Sequence, residues 1–91
     1  MYTLSAKLTF HIPHAASLKD KRQVSRSIID KSRQKFNAAI GEVATQDIYQ
    51  TLTIGVAVVS GEFSHGQNVL EEIIRFMEIH ADGELTGIEA S

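Results

Sequence analysis

The sequence contains no cysteine and a single proline. Without thiols, disulfide bonds and thiolate metal sites are excluded, which fits a reducing compartment. No stretch approaches the about 20 apolar residues of a membrane-spanning helix. The first ten residues alternate polar with apolar side chains and lack the continuous apolar stretch of a signal peptide. We therefore expect a soluble cytoplasmic protein that makes no membrane contact.

Catalytic and metal-binding motifs are also absent from the sequence. It has no Gly-x-Ser-x-Gly motif and no phosphate-cradling loop. Ser64 and His65 do not make a triad, because adjacent residues cannot be assumed to aim at one another. Pro13 separates His11 from His14 and rules out the helical spacing of metal ligands, and no adjacent carboxylate completes a set. We predict no enzymatic activity, no catalytic residues, no metal and no other cofactor.

Basic residues are almost missing from the second half of the chain. Residues 40–91 contain nine acidic residues and one basic residue, Arg75, whereas residues 1–39 contain eight basic and two acidic ones. The pI near 6.0 argues against nucleic-acid binding by bulk charge, for which a pI above about 9 is typical. Two interpretations remain open: solvated helices of opposite sign, or a basic face directed at an anionic partner.

A basic amphipathic helix is predicted over residues 17–36, which contain seven of the nine Lys and Arg residues. Ser17 and Asp20 have the spacing of a capping box at its start. An apolar stripe runs along one side, and Lys31 and Lys35 lie on one flank of it. The other flank carries Lys19, Arg22, Arg26 and Arg33. With Lys21, these four residues form our predicted nucleic-acid or anion-binding set.

The rest of the chain reads as four strands and a second helix. Strict alternation predicts strands over residues 2–12 and 51–59. Weaker patterns predict strands over 38–45, with a bulge at Gly41, and over 85–89. Helical spacing over 64–80, with a Ser64–Gln67 capping pattern, predicts the second helix.

The order β-α-β-β-α-β in 91 residues predicts one ferredoxin-like α+β domain over residues 1–91, a four-stranded antiparallel sheet with both helices on one face. The even-numbered residues of the first and third strands should pack under the helices. Their odd-numbered residues should form an open face of small, weakly polar side chains. Such a face suits a second copy of the protein or a flat ligand.

Several blocks of the sequence resemble one family. The blocks are His11-Ile-Pro, Ser17-Leu-Lys-Asp-Lys-Arg, Glu42-Val43, Gln46-Asp47 and Ile54-Gly-Val-Ala-Val-Val-Ser60. They resemble the YlxP-like family of small bacterial proteins, a domain of unknown function, over nearly the whole chain. The resemblance implies a ferredoxin-like fold, a bacterial cytosolic protein and genes that commonly lie near translation and ribosome-maturation factors. It implies no catalytic residues.

A second site is predicted from the strand directions. We predict that strands one and three run parallel, so that their carboxyl ends meet at one edge of the sheet, where both helices begin. His14 and Ser17 would then approach Ser64 and His65, and two helix amino termini would favour an anion. The alternative is that Ser17 and Ser64 only cap their helices.

Two functions follow from these features. The first is a non-enzymatic, RNA- or ribosome-associated binding factor that contacts phosphates of a structured RNA through the basic flank of helix one. The open face is predicted to lack the aromatic residues on which an RNA-recognition sheet stacks bases. The alternative is a homo-oligomeric structural or small-anion-binding module that associates through the open sheet face. The sequence leaves the partner and the oligomeric state undetermined.

Overall fold

The computed structural model describes residues 1–90 and contains the six predicted elements in the predicted order. Our single domain over 1–91 also includes Ser91, which lies outside the described residues. The element bounds differ from their predictions by at most one residue each. They are β1 Tyr2–His11, α1 Leu18–Lys35, β2 Ala39–Ala44, β3 Thr51–Ser60, α2 Phe63–His80 and β4 Glu84–Ala90.

The four strands form one antiparallel sheet in the order β2-β3-β1-β4. Tyr2 pairs with Ser60 and His11 pairs with Thr51, so β1 and β3 run in opposite directions. Our prediction that these strands run parallel is therefore wrong. The crossover through α1 makes β2 parallel to β1, and the β2–β3 hairpin then reverses the direction of β3.

The core lies between the helices and the even-numbered side of the two central strands. The largest buried side chains of the sheet, Phe10 and Ile54 among them, meet Ile28 of α1 and Met77 of α2. Each such side chain contributes about 1.5–3 kcal/mol when it is fully buried. The predicted core face is confirmed except at Tyr2, which is exposed at the start of β1. The buried residues of this face are Leu4, Ala6, Leu8, Phe10, Ile12, Leu52, Ile54, Val56 and Val58.

Helix α1 begins as the capping motif predicts. The Ser17 hydroxyl accepts a hydrogen bond from the Asp20 amide at 3.2 Å. The Asp20 carboxylate in turn accepts one from the Ala16 amide at 2.9 Å, one residue before the cap. Two amides at the helix start are thereby satisfied by side chains. At the other end, the Phe36 amide donates to the Ser32 carbonyl and closes the last turn.

Helix α2 begins differently from our prediction. Its N-cap is Glu62, whose side chain makes no capping hydrogen bond, and Ser64 lies inside the first turn. The predicted Ser64 cap is therefore wrong. Ser60 orders the entry to the helix instead, because its hydroxyl donates to the Glu62 carbonyl at 2.6 Å and accepts from the Glu62 amide at 3.1 Å.

Both edges of the sheet contain an irregularity in the strand pairing. In β2 the register shifts between Glu42 and Ala44, which leaves Val43 as the extra residue. Gly41 pairs regularly with Gly55, so the predicted bulge at Gly41 is wrong by two positions. In β4 the shift falls at Thr86. Bulges at edge strands hinder the addition of further strands.

Candidate nucleic-acid interface

The basic flank consists of Lys19, Arg22, Arg26 and Arg33, on the side of α1 that faces β2. All four residues are exposed. Arg22 and Arg26 lie one helical turn apart, and Arg22 and Arg33 are separated by about 16 Å along the axis at 1.5 Å per residue. Within residues 1–90, no carboxylate lies within 4 Å of any of these cations. The flank is thus a row of solvent-facing positive charges without acidic partners.

Arg33 is held in place by the backbone of the neighbouring strand. Its Nε donates to the Ile40 carbonyl at 3.1 Å, and its Nη2 donates to the same oxygen. These bonds fix the guanidinium at the junction of α1 and β2 without neutralising its charge. A cation that is already oriented loses less side-chain entropy when it binds an anion.

Lys21 does not belong to the exposed flank, contrary to our prediction. Its side chain is 1% exposed, and its Nζ lies 3.0 Å from a carboxylate oxygen of Glu42. The same ammonium group donates to the carbonyl oxygens of Thr45 and Thr51. Two carbonyl oxygens and one carboxylate therefore surround the ammonium group inside the protein. Lys21 joins α1 to the β2–β3 hairpin and is not available to an external anion.

The helical periodicity of α1 already contains the signal that identifies Lys21 as buried. At 100° per residue Lys21 falls between Ile28 and Ser25 on the helix surface, and both of those residues are buried. A lysine at the centre of an apolar stripe requires a buried carboxylate as partner. Glu42, on the core-facing side of β2, is that carboxylate.

The other cationic flank of α1 is partly engaged within the protein. The Nζ of Lys35 lies 5.1 Å from the ring centre of Phe76 and 5.7 Å from that of Phe36. These distances are typical of cation–π contacts. The two rings meet edge to face at 5.5 Å, so Lys35 covers the contact between the ends of the two helices. Lys35 therefore has a structural role.

The predicted anion site at the helix starts does not exist. Because β1 and β3 are antiparallel, α1 begins beside His11 and α2 begins beside Ser60, at opposite ends of a ten-residue strand pair. That distance is about 30 Å at 3.4 Å per residue. His14 pairs instead with Asp82 at 3.2 Å, while Ser17 caps α1. Ser64 and His65 are exposed at the far end and meet neither of them.

A cleft of about 570 Å³ lies along α1, at the end of the sheet where α1 begins and α2 ends. Its apolar floor is formed by Val24 and Ile28, and its rim mixes both signs of charge. Two carboxylates share the rim with one lysine and two histidines, so no single ionic ligand is favoured. The charged rim residues are His14, Asp20, Lys31, His80 and Asp82.

The open face of the sheet has a shallow trough of about 480 Å³. Gly41 pairs with Gly55 and Ala39 pairs with Ala57, so two neighbouring cross-strand pairs lack large side chains. Val43, exposed at the bulge, overhangs Gly55. The small character that the sequence predicts for this face is confirmed. None of the trough residues is aromatic.

The β2–β3 loop is a feature that the sequence analysis missed. Gln46-Asp47 has the composition of a turn, but the loop also exposes Ile48 and Tyr49, which are 52% and 43% accessible. Gln50 at its end turns inward and donates to the carbonyl oxygens of Pro13 and Ala15. The sequence indicates this feature only through Ile48 and Tyr49, two large apolar residues that lie outside any regular alternation.

Neither a membrane span nor a metal centre is found in the described part of the chain. No helix among residues 1–90 is both long and apolar enough to cross a bilayer. In the same range, His, Asp and Glu side chains do not gather in a group of three or more with the geometry to hold a metal ion.

The fold and the comparison with solved structures define the structural class of the protein. The chain is a ferredoxin-like α+β protein: it matches a de novo designed protein with ferredoxin fold, LFR1 1, with a TM-score of 0.62 over 100% of this chain and 84% of that one. At 16% identity this similarity concerns the fold alone. A second designed protein, Ferredog-Diesel, is similar at a TM-score of 0.44 and 14% identity, over 97% of this chain and 84% of the other.

The particular family follows from the sequence. Residues 3–90 match the model of a family described as "Protein of unknown function (DUF503)", and the chain belongs to that family. It is also 33% identical over 72 residues to the uncharacterized protein YlxP of Bacillus subtilis (strain 168), covering 79% of this chain and 78% of that protein. The resemblance stated from the sequence is confirmed.

Proposed function

We propose that this protein is a non-enzymatic RNA-binding factor that contacts the phosphate backbone of a structured RNA, such as a ribosomal subunit, through the basic flank of α1. The observation that carries the proposal is the row of exposed cations on that flank, which have no carboxylate partners among residues 1–90. Guanidinium groups bind phosphate in a bidentate geometry. The proposal places the protein in the cytoplasm.

The charge layout of the two helices supports a directed contact. Helix α2 exposes Glu71, Glu72 and Glu78, whereas the basic flank is on the side of α1 that faces β2, away from α2. An approaching polyanion is therefore attracted to one side of the helical layer and repelled from the other. This separation lets a protein with a net charge of −2 bind a phosphate backbone.

The mode of recognition follows from the open sheet face. The central strands present Thr3, Ser5 and Ala57 there, so this face gives bases no aromatic platform. An RNA-recognition sheet stacks bases on aromatic residues. Binding through the basic flank depends instead on phosphates, which carry little sequence information.

The test combines a cellular and a purified assay. We expect the protein to co-sediment with ribosomal subunits in a sucrose gradient of bacterial lysate at low salt and to dissociate at high salt. With a purified RNA duplex of about 16 base pairs, the logarithm of affinity should fall with the logarithm of salt with a slope of about −3 to −4 if all four flank cations contact phosphates.

A matched pair of variants separates the flank from net charge. Arg22→Glu with Arg26→Glu reverses two flank cations, and Lys31→Glu with Arg75→Glu reverses two exposed cations elsewhere on the helices. Both double variants change net charge equally. The proposal requires the flank variant to lose affinity for the duplex at least tenfold more than the control. Equal losses, or no binding by the wild type, would refute it.

A second function is favoured by the trough on the open sheet face. The paired Gly and Ala residues and the exposed Val43 and Val59 present a flat surface of low polarity. We propose a second copy of the chain as its occupant, because Lys7 and Glu89 neutralise each other on this face at 3.2 Å. Thr9→Arg or Ala57→Arg should halve the mass measured by light scattering. A wild type that is monomeric at about 100 μM would exclude this function.

A further inference from the structure

Tyr49 differs from the other aromatic residues in the described chain. Phe10 is buried, Tyr2 packs edge to face on Phe63 at 5.8 Å, and the two remaining phenylalanines meet at the end of the helical layer. Tyr49 has an exposed ring and no aromatic neighbour. Among residues 1–90 Tyr49 is thus an exposed aromatic side chain that does not pack on another ring.

The loop that carries Tyr49 is held at both ends. Lys21 donates to the carbonyl oxygens of Thr45, before the loop, and Thr51, after it. Gln50 is anchored from two directions, because its carbonyl accepts from the Ile12 amide at 2.9 Å while its side chain donates to the segment before α1. The exposed ring is presented by a rigid base, which lowers the entropy lost on binding.

The same contacts place the loop beside the basic flank. Lys21 touches both ends of the loop, and the next residue along α1 is Arg22. Lys19 lies in the same first turns of the helix. An exposed aromatic ring on a loop bonded to the helix that carries solvent-facing cations is a combination with which proteins bind an unpaired nucleotide. The cations hold its phosphates and the ring stacks on its base.

We infer that Tyr49 stacks on an unpaired base of an RNA whose phosphates are held by Lys19 and Arg22. This inference rests on the proposed function and names the class of RNA: a duplex interrupted by a bulged or looped-out nucleotide. Asp47, on the same loop, disfavours phosphate close to the ring itself and is compatible with an uncharged base there. An acidic protein surface would match the cations but would not require a free aromatic ring.

A unique fluorophore tests the stacking directly. The chain has no tryptophan, so Tyr49→Trp introduces a single one, and Tyr2→Trp is a matched control of similar exposure, 48%, at the opposite end of β1. Two RNA probes are compared: a duplex of about 16 base pairs and the same duplex with one unpaired adenosine. We expect the bulged probe, and not the paired one, to quench the indole fluorescence of the Tyr49→Trp variant, and neither probe to quench that of the Tyr2→Trp variant. Equal quenching of the Tyr49→Trp variant by both probes, or by neither, overturns the inference.

Affinities separate this inference from the function on which it rests. The wild type should bind the bulged probe about tenfold more tightly than the paired one, which is the effect of one base–aromatic stack. Tyr49→Ala should abolish the difference and Tyr49→Phe should keep it, while both variants bind the paired duplex like the wild type. If the paired duplex binds through Arg22 and Arg26 but the bulge adds no affinity, only the stacking role fails. If neither probe binds, the proposed function fails and this inference fails with it.

Discussion

The Nζ of Lys21 lies 3.0 Å from Oε2 of Glu42 inside the protein, and that oxygen has no other polar partner among residues 1–90. The pair joins the first turns of α1 to the edge strand β2. Removing one member of a buried ion pair leaves the other charge without compensation. The pair therefore fixes the position of α1, and with it the basic flank.

We expect Lys21→Met to lower the free energy of unfolding by about 3–5 kcal/mol, because it leaves the Glu42 carboxylate unpaired. Urea denaturation measures the change. Lys21→Met with Glu42→Leu should recover much of the loss, since both charges are then absent. Lys19→Met, on the exposed surface, should change stability by no more than about 0.5 kcal/mol. A Lys21→Met protein as stable as that control would contradict a role for the pair in stability.

Thr45 has a φ of 58°, in the left-handed region that side chains with a β-branch disfavour. Its hydroxyl is 2.9 Å from that of the buried Thr53, and its carbonyl accepts from Lys21. Thr45→Ala and Thr45→Gly both lose the hydroxyl, but only glycine relieves the backbone. We expect the Gly variant to be more stable than the Ala variant by about 1 kcal/mol, the reverse of the usual order. Thermal or urea unfolding that ranks Ala above Gly would disprove strain at this position.

Ser17 and Ser64, at the starts of the two helices, allow a controlled test of capping. Ser17 accepts from the Asp20 amide as an N-cap, whereas Ser64 lies in the first turn of α2 and makes no capping bond. Ser17→Ala should lower the free energy of unfolding by about 1 kcal/mol. Ser64→Ala should change it by less than about 0.5 kcal/mol. Equal effects of the two substitutions in chemical denaturation would show that the Ser17 contact contributes nothing specific.

Gly66 lies where α2 meets the ends of β1 and β3. A Cβ built there would lie 2.6 Å from Leu4 Cδ1 and 3.0 Å from Ser60 Cβ. Alanine normally stabilises a helix relative to glycine by about 1 kcal/mol. Here we expect Gly66→Ala to destabilise the protein by about 1–3 kcal/mol, because the helix must move away from the sheet.

Gly61 provides the control for that substitution. A Cβ at Gly61 would have no neighbour within 4 Å, and its φ is not positive. Gly61→Ala should therefore leave the denaturant midpoint unchanged or raise it slightly. If Gly66→Ala also raises the midpoint, the contact with Ser60 is not tight enough to matter.

The element order, the core face of the sheet and the cap of α1 are predictable from the sequence because each depends on local periodicity or on neighbouring residues. The strict alternation in β1 determines which of its side chains are buried. The Ser17–Asp20 spacing determines where α1 begins. The position of the β2 bulge, in contrast, is not predictable from the local sequence. Gly41 is the residue whose composition indicates a bulge, but the pairing with β3 places it at Val43, and that pairing is a long-range property.

The candidate site was predicted only in part. The exposed arginines follow from the helical wheel, and the same wheel, read with Glu42 as the partner, identifies Lys21 as buried. The predicted anion edge is wrong because the β2–β3 hairpin reverses β3 relative to β1, which places the two helix starts at opposite ends of the sheet. The exposed Tyr49 lies in a loop without periodicity, so its role depends on the contacts of Gln50 and Lys21, which no local pattern contains.

The pairing of β1 determines when the sheet can form while the chain is being synthesised. The first strand of the fold occupies the middle of the sheet, and it pairs with β3 and with β4, the last strand of the fold. Lys7, for example, pairs with Glu89, which is made more than 80 residues later. Until β4 emerges, β1 has one unpaired edge, and such an edge is prone to association with other chains. The sheet of this domain therefore closes only after β4 has been made.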